Sequence, residues 1–157
     1  MSSSIEEIAS VLGAERFGNS EGRIDWILTD SRSLCFPEET LFFALKTKRN
    51  DGHKYIRDLY NKGVRNFVVT DIPEDLAHYR HTNFLKVGNT LKALQKLAAR
   101  HREQFQVPVI GITGSNGKTV VKEWLYQLLS PEKVITRSPR SYNSQIGVPL
   151  SVWLMNE

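Results

Sequence analysis

The sequence has one cysteine, Cys35, and two methionines among 157 residues. A lone thiol has no internal partner, which excludes a disulfide framework within these residues and fits a reducing cytoplasm. No apolar run approaches the ~18 residues that a membrane-spanning helix requires, so membrane insertion is not expected. The N-terminus, Met1-Ser2-Ser3-Ser4-Ile5-Glu6-Glu7, has neither the basic start nor the apolar stretch of a secretory leader. Charge of one sign is not concentrated either. The net charge is +4, with 16 Lys and Arg against 14 Asp and Glu in residues 1–106, and 5 against 3 in residues 107–157. No basic stripe interleaved with aromatics emerges, which argues against nucleic acid as a partner. There is no internal repeat and no low-complexity segment. What is there, 40% hydrophobic and 24% charged residues, is the composition of a globular chain with a real core.

Periodicity gives the organisation. Ser4 is placed to cap a short helix with Ile5, Ile8, Ala9 and Leu12 on one face and Gly13 at its end. Ile24 to Thr29, Leu41 to Leu45, Asn66 to Thr70 and Phe84 to Val87 read as strands. His53 to Lys62 and Asn89 to Phe105 read as helices, the second with Leu91, Leu94, Leu97, Ala98, His101 and Phe105 inward. Gln106-Val107-Pro108 breaks the chain, and a domain boundary is expected there. The pattern then restarts: strand Val109 to Ile112, a glycine-rich turn, helix Lys118 to Leu129, strand Val134 to Thr136, and a helix from about Val148. Strands alternating with helices predict an α/β class with parallel pairing, at least after residue 107.

One motif points to chemistry. Thr113-Gly114-Ser115-Asn116-Gly117-Lys118-Thr119 follows an apolar strand and opens a helix. Gly114 and Gly117 permit backbone angles that turn successive N–H groups toward one anion. The helix behind adds its N-terminal donors and dipole. Lys118 can reach the β- and γ-phosphates of a nucleotide triphosphate, and the Thr119 hydroxyl can ligate Mg²⁺. The general phosphate-loop pattern would place a glycine where Ile112 stands; here it is one residue earlier, at Gly111.

With that departure, the loop resembles the P-loop of the Mur ligases, the ATP-dependent amino-acid ligases of peptidoglycan synthesis. Three further blocks agree in order. Thr29-Asp30-Ser31-Arg32 with Leu41-Phe42-Phe43-Ala44-Leu45, then Asp51-Gly52-His53-Lys54-Tyr55-Ile56, and lastly Asn143-Ser144-Gln145-Ile146-Gly147-Val148-Pro149-Leu150 each resemble a block of that family. Within it, Ile146-Gly147-Val148-Pro149-Leu150 and Lys122-Glu123 resemble the MurF type, which adds D-alanyl-D-alanine to UDP-N-acetylmuramoyl-tripeptide. The stretch Ser138 to Asn143 resembles a variant fused to an alanine racemase, for which pyridoxal phosphate would be a second cofactor. Nothing in these residues carries racemase chemistry. The alternatives are a MurE-type or folylpolyglutamate-synthetase-like ligase, or a non-catalytic nucleotide-sugar-binding module. Asp30-Ser31-Arg32 and Asp51-Gly52-His53 argue against the folate class.

The resemblance implies a small N-terminal α/β UDP-substrate-binding domain over residues 1–106. It is followed by the truncated start of a P-loop α/β ATPase domain over 107–157, in a cytoplasmic ligase. It implies ATP and Mg²⁺ as cofactors, Thr113 to Gly117 as phosphate donors, Lys118 as the catalytic cation and Thr119 as the metal ligand. Ser31 and Arg32, the loop Lys48-Arg49-Asn50, and Asn143, Ser144 and Gln145 would meet the substrate. A fragment without the later Mg²⁺ ligands and C-terminal domain is expected not to ligate alone.

Plainer readings stand beside these. Ser31 is a turn residue and Arg32 a surface ion-pair donor. Lys48 and Arg49 are a solvated loop. Asp51-Gly52 is a turn that starts a helix. His78 and His81 are solvated surface. Cys35 is a half-buried small apolar residue. Trp124, Leu125, Leu128 and Leu129 are the core face of the P-loop helix.

Overall fold

The structure, a computed structural model, describes residues 3–47, 50–139 and 142–156. In chain order its elements are β1 (Ser3–Ser4), α1 (Ile5–Leu12), β2 (Glu15–Phe17), β3 (Arg23–Ile24), β4 (Trp26–Leu28), β5 (Thr40–Phe43), α2 (Ile56–Asn61), β6 (Asn66–Val69), β7 (Asn83–Lys86), α3 (Thr90–Arg102), α4 (Lys118–Leu129) and α5 (Gly147–Trp153). Short 3₁₀ turns cover Ser31–Ser33, Gly52–Tyr55 and Leu76–His78. The chain forms two compact units, Met1–Leu97 and Ala98–Glu157.

The first unit is built on a five-stranded sheet in the order β2-β7-β6-β5-β4. Strands β4 to β7 pair in parallel, and β2 closes the edge antiparallel to β7. The register sets one row straight across the sheet: Phe17 opposite Phe84, Phe84 opposite Phe67, Phe67 opposite Phe42, and Phe42 opposite Leu28. Phe67 stacks on Phe84 at 5.3 Å and meets Phe42 edge-on at 6.2 Å. Ile56 and Leu59 of α2 pack into the same apolar cluster. Alternate residues Leu41, Phe43, Val68 and Leu85 are buried on the opposite face, so the parallel strands read as continuous apolar runs.

Helix α1 starts where its sequence says it should. Ser4 Oγ accepts the Glu7 N–H at 3.1 Å while the Glu7 carboxylate accepts the Ser4 N–H at 3.0 Å. Gly13 ends it in the left-handed region. At the opposite end of the parallel strands from the blocks discussed below, Asn83 Nδ2 donates to Asn66 Oδ1 at 2.8 Å, a buried amide pair.

Several expectations need correction. The strand foreseen over Ile24 to Thr29 is two short ones, because Asp25 and Trp26 both turn their N–H groups to Glu39 O. The helix foreseen from His53 begins as a 3₁₀ turn and becomes α-helical only at Ile56. The parallel sheet lies before residue 107, whereas neither Val109 to Ile112 nor Val134 to Thr136 is a strand. A strand needs hydrogen-bonded neighbours, and two short isolated runs do not sustain a sheet; Val109 and Val134 are 70% and 94% exposed. The same lack of cover applies to α4, where Trp124 and Leu128 are exposed rather than core. Cys35 is exposed, its Sγ donating to Ser33 O at 3.7 Å.

Within the second unit, the last turn of α3 is anchored by His101. Its ring lies 4.6 Å from that of Trp153 and its Nε2 is 2.9 Å from Met155 O. Among the described residues no helix is long and apolar enough to cross a membrane.

Candidate functional site

In the first unit the two N-terminal sequence blocks come out at the same edge. Asp30-Ser31-Arg32 follows β4, and the loop from Lys46 to Asp51 follows β5. Thr70-Asp71 follows β6. These are the carboxyl ends of three adjacent parallel strands, where open α/β sheets place their ligands.

Asp30 caps the 3₁₀ turn. Its Oδ1 accepts the Arg32 N–H at 3.0 Å, and its Oδ2 pairs with Arg32 Nη2 at 2.6 Å. The Arg32 guanidinium, assisted by that backbone N–H, holds the Asp30 carboxyl at about 2. Arg32 thus folds back on its own turn with its side chain exposed, while Ser31 opens the turn and is half-buried.

The loop after β5 is closed at its base by a bridge between Lys46 and Asp51. Thr47 and Asn50 brace it within: Thr47 N–H donates to Asn50 O at 2.8 Å and Asn50 N–H to Thr47 Oγ1 at 3.0 Å. Lys48 and Arg49 lie outside the described residues. Gly52 then runs so close to β5 that a Cβ would stand 2.8 Å from Ala44 Cα and Leu45 N. Asp51 Oδ1 accepts from the His53 N–H at 3.0 Å and faces His53 Nδ1 at 2.6 Å, and Oδ2 lies 3.7 Å from Lys46 Nζ. The His53 N–H and ring hold the Asp51 carboxyl below its usual range. His53 Nε2 accepts the backbone N–H of Thr70 at 3.0 Å, which assigns the proton to Nδ1. The sequence pattern alone assigns His53 to the start of a helix and gives Lys46, Thr70 and Asp71 no role. The signal was there: a polar pair directly after an apolar strand, beside an Asp-Gly-His block.

In the second unit, Gly117 caps α4 at φ 77° and Gly114 has φ 142°. No neighbour lies within 4 Å of a Cβ built on Gly117, so the backbone angle, not crowding, calls for glycine there. No side chain caps α4 and its first turn holds no acidic residue, which leaves the helix end suited to an anion. Lys118 Nζ donates to Gly114 O and Ser115 O. Thr113, Ser115, Asn116 and Thr119 are exposed around it. These residues fit a nucleotide phosphate held by backbone donors, with Lys118 as its cation. Among the described residues no group of three or more His, Cys, Asp or Glu is arranged to hold a metal ion.

Lys122 and Glu123 tie α4 to the segment ahead of Asn143. Lys122 Nζ donates to Ser138 O at 2.7 Å, and Glu123 pairs with Arg137, whose guanidinium lies over the Tyr126 ring at 4.0 Å. Asn143 and Gln145 are exposed. Ser144 Oγ accepts the Gly147 N–H at 3.0 Å, so this side chain is engaged in starting α5. Gly147 is required by closeness to Tyr142, whose Cα would stand 3.0 Å from a Cβ.

No protein-family model matches the chain. Over 127 residues it is 41% identical to the UDP-N-acetylmuramoyl-tripeptide–D-alanyl-D-alanine ligase of Synechocystis, a match covering 81% of this chain and 27% of that protein. Its structure superposes on MurF of Acinetobacter baumannii with a TM-score of 0.86 and 28% identity, over 99% of this chain and 34% of that one. The chain belongs to the Mur ligase family. A MurF ligase of Thermotoga maritima solved in complex with ADP matches 83% of this Mur ligase chain and 29% of its own length, at a TM-score of 0.69 and 28% identity. The chain therefore spans about a third or less of the Mur ligases it matches, and its fold is that of their N-terminal region.

Proposed function

We propose that this chain is the substrate-binding and ATP-loop portion of a MurF-type ligase, which joins D-alanyl-D-alanine to UDP-N-acetylmuramoyl-tripeptide in peptidoglycan synthesis. Residues 1–106 form the UDP-substrate-binding domain and residues 107–157 the first portion of the ATP-binding domain. The observation that carries the reading is the phosphate loop itself: left-handed glycines at 114 and 117, an uncapped helix start, and Lys118 folded over the loop carbonyls. The likeness to ligases of that name supplies the substrates.

The reaction runs in two steps. The terminal carboxylate of the tripeptide attacks the γ-phosphorus of ATP and ADP leaves. The amine of D-alanyl-D-alanine then attacks the acyl phosphate, giving the amide, phosphate and a proton. Thr113 to Gly117 hold the phosphates through backbone N–H groups, and Lys118 neutralises charge on the transferring group. Thr119 would hold Mg²⁺, which would supply charge neutralisation at the phosphates. Ser31, Arg32, Lys48, Arg49 and Asn50 receive the uridine diphosphate end. Asn143, Ser144 and Gln145 meet the substrate. Pyridoxal phosphate belongs to this protein only with a fused racemase domain.

Titration of this chain with UDP-N-acetylmuramoyl-tripeptide tests the substrate half. Saturable binding supports it, and the absence of any heat or chemical-shift change would remove it. ADP release by these 157 residues alone, dependent on both substrates, would overturn the expectation that they do not ligate.

A further inference from the structure

Helix α4 covers a lysine while leaving its apolar residues open. The Lys122 side chain is 17% exposed, whereas Trp124 and Leu128 on the same helix are 67% and 73% exposed. Lysine ordinarily keeps its ammonium in water, and covering it costs desolvation that specific partners must offset. Lys122 Nζ donates to Ser138 O at 2.7 Å and stands 3.2 Å from Glu123 Oε1. Glu123 in turn pairs with Arg137. Two adjacent residues of α4 thus grip two adjacent residues of the segment ahead of Asn143.

Ser138 is also held from a second side. Its Oγ donates to Ser151 Oγ at 2.9 Å, and the buried Ser151 Oγ donates to Gly147 O at 2.9 Å. Gly147 N–H donates to Ser144 Oγ at 3.0 Å. A continuous path therefore runs from α4 through Ser138 to α5 and back to Ser144, inside the Asn143 to Gln145 block. Lys122 lies one helical turn after Lys118, so both ammonium groups leave α4 from one face. One is turned to Gly114 O and Ser115 O, the other to Ser138 O.

We propose that Lys122 is a positioning residue for phosphoryl transfer: acting through Ser138, it sets the Asn143 to Gln145 block against the helix that presents Lys118. Transfer requires the attacking carboxylate and the γ-phosphate to be held in line, so the contacts to each need one common frame. This rests on the reading of Asn143 to Gln145 as substrate contacts and of the glycine-rich loop as the ATP site.

The experiment is a double-mutant cycle in the ligase that carries this chain at the length of its relatives. ATP titration counts the competent sites, so that a smaller folded fraction is not mistaken for slower turnover. Lys122→Met keeps the stem and removes the ammonium. It lowers kcat per ATP-binding site by about 10- to 100-fold, the scale of a small misplacement, with KM for ATP and for UDP-N-acetylmuramoyl-tripeptide unchanged. In an Asn143→Ala background the Lys122 change adds nothing, because one acts through the other. Wild-type kcat in Lys122→Met, a raised KM with kcat intact, or losses that add in the double variant would overturn the proposal. Should Lys122→Met not fold, Ser151→Ala frees Ser138 from its other anchor and carries the same expectation. If the wild-type ligase forms no product from these substrates, the MurF reading fails first and this inference with it.

Discussion

His53 Nε2 accepts the backbone N–H of Thr70 at 3.0 Å, joining the turn after β5 to the end of β6. The bond makes the Asp-Gly-His block a structural clamp, in which each residue has its own physical task. Asp51 caps the turn, Gly52 lets two backbones meet, and His53 reaches the neighbouring strand.

Gly52→Ala tests the clamp at its tightest point. The added methyl would stand 2.8 Å from Ala44 Cα and Leu45 N, both backbone atoms of the segment that directly continues β5. Neither can yield without moving β5. A loss of about 2 kcal/mol is expected from such overpacking, read as a lower denaturant midpoint with an unchanged slope. A midpoint equal to wild type would show that the approach relaxes freely.

Much of this fold was legible in the sequence because apolar runs and helix punctuation agree with it. Leu41 to Leu45, Asn66 to Thr70 and Phe84 to Val87 are apolar runs that the parallel strands bury on both faces. Ser4 and Gly13 bracket α1 as their chemistry demands. The two-residue β1 and three-residue β2 were missed because strands that short carry no period. Val109 to Ile112 has the composition of a strand, but composition cannot supply the neighbour a strand must pair with. At the site, Lys118, Gly114 and Gly117 were legible from the motif. The link from His53 to Thr70 was not, because it spans 17 residues and exists only once β5 and β6 are paired.

Acid should expose the Asp30–Arg32 pair. The Arg32 side-chain and backbone hydrogen bonds lower the Asp30 carboxyl from 3.8 to about 2. A carboxylate lowered in the folded state stabilises above its unfolded value, and that contribution fades as pH falls between those two values. Asp30→Asn should therefore be less stable than wild type at about pH 6, with the two converging near pH 2. The pair is exposed, so the difference is small and shrinks in salt. Parallel denaturation curves with a pH-independent gap would contradict this.

His101 gives the second unit the opposite group with the same sign of response. Burial lowers its imidazole from 6.5, although the Met155 carbonyl works against the shift. The neutral ring is thus favoured in the fold, and the unfolded chain takes up the proton first. Stability of this unit is full above 6.5 and declines as pH falls below it. Trp153, 4.6 Å away, reports the change as altered emission once Trp26 and Trp124 are replaced by Phe. His101→Gln should abolish the transition; its persistence would place the titrating group elsewhere.

Lys118→Met separates the two halves of the proposed function. The substitution keeps the stem and removes the ammonium that donates to Gly114 O and Ser115 O. A phosphate seated on the loop would draw that ammonium away from the carbonyls, because a charged acceptor outcompetes a neutral one. Its loss therefore falls on the transferring phosphoryl group, where charge builds in the transition state. In a ligase that continues this chain to the length of its relatives, the turnover rate should drop about 10³-fold. UDP-sugar binding should stay unchanged, because the proposed uridine-diphosphate contacts lie in residues 1–106 and do not include Lys118. Parallel measurement of ADP release and of UDP-sugar affinity decides the matter. A variant that loses both together would mean that the nucleotide loop and the substrate domain do not divide the work as proposed.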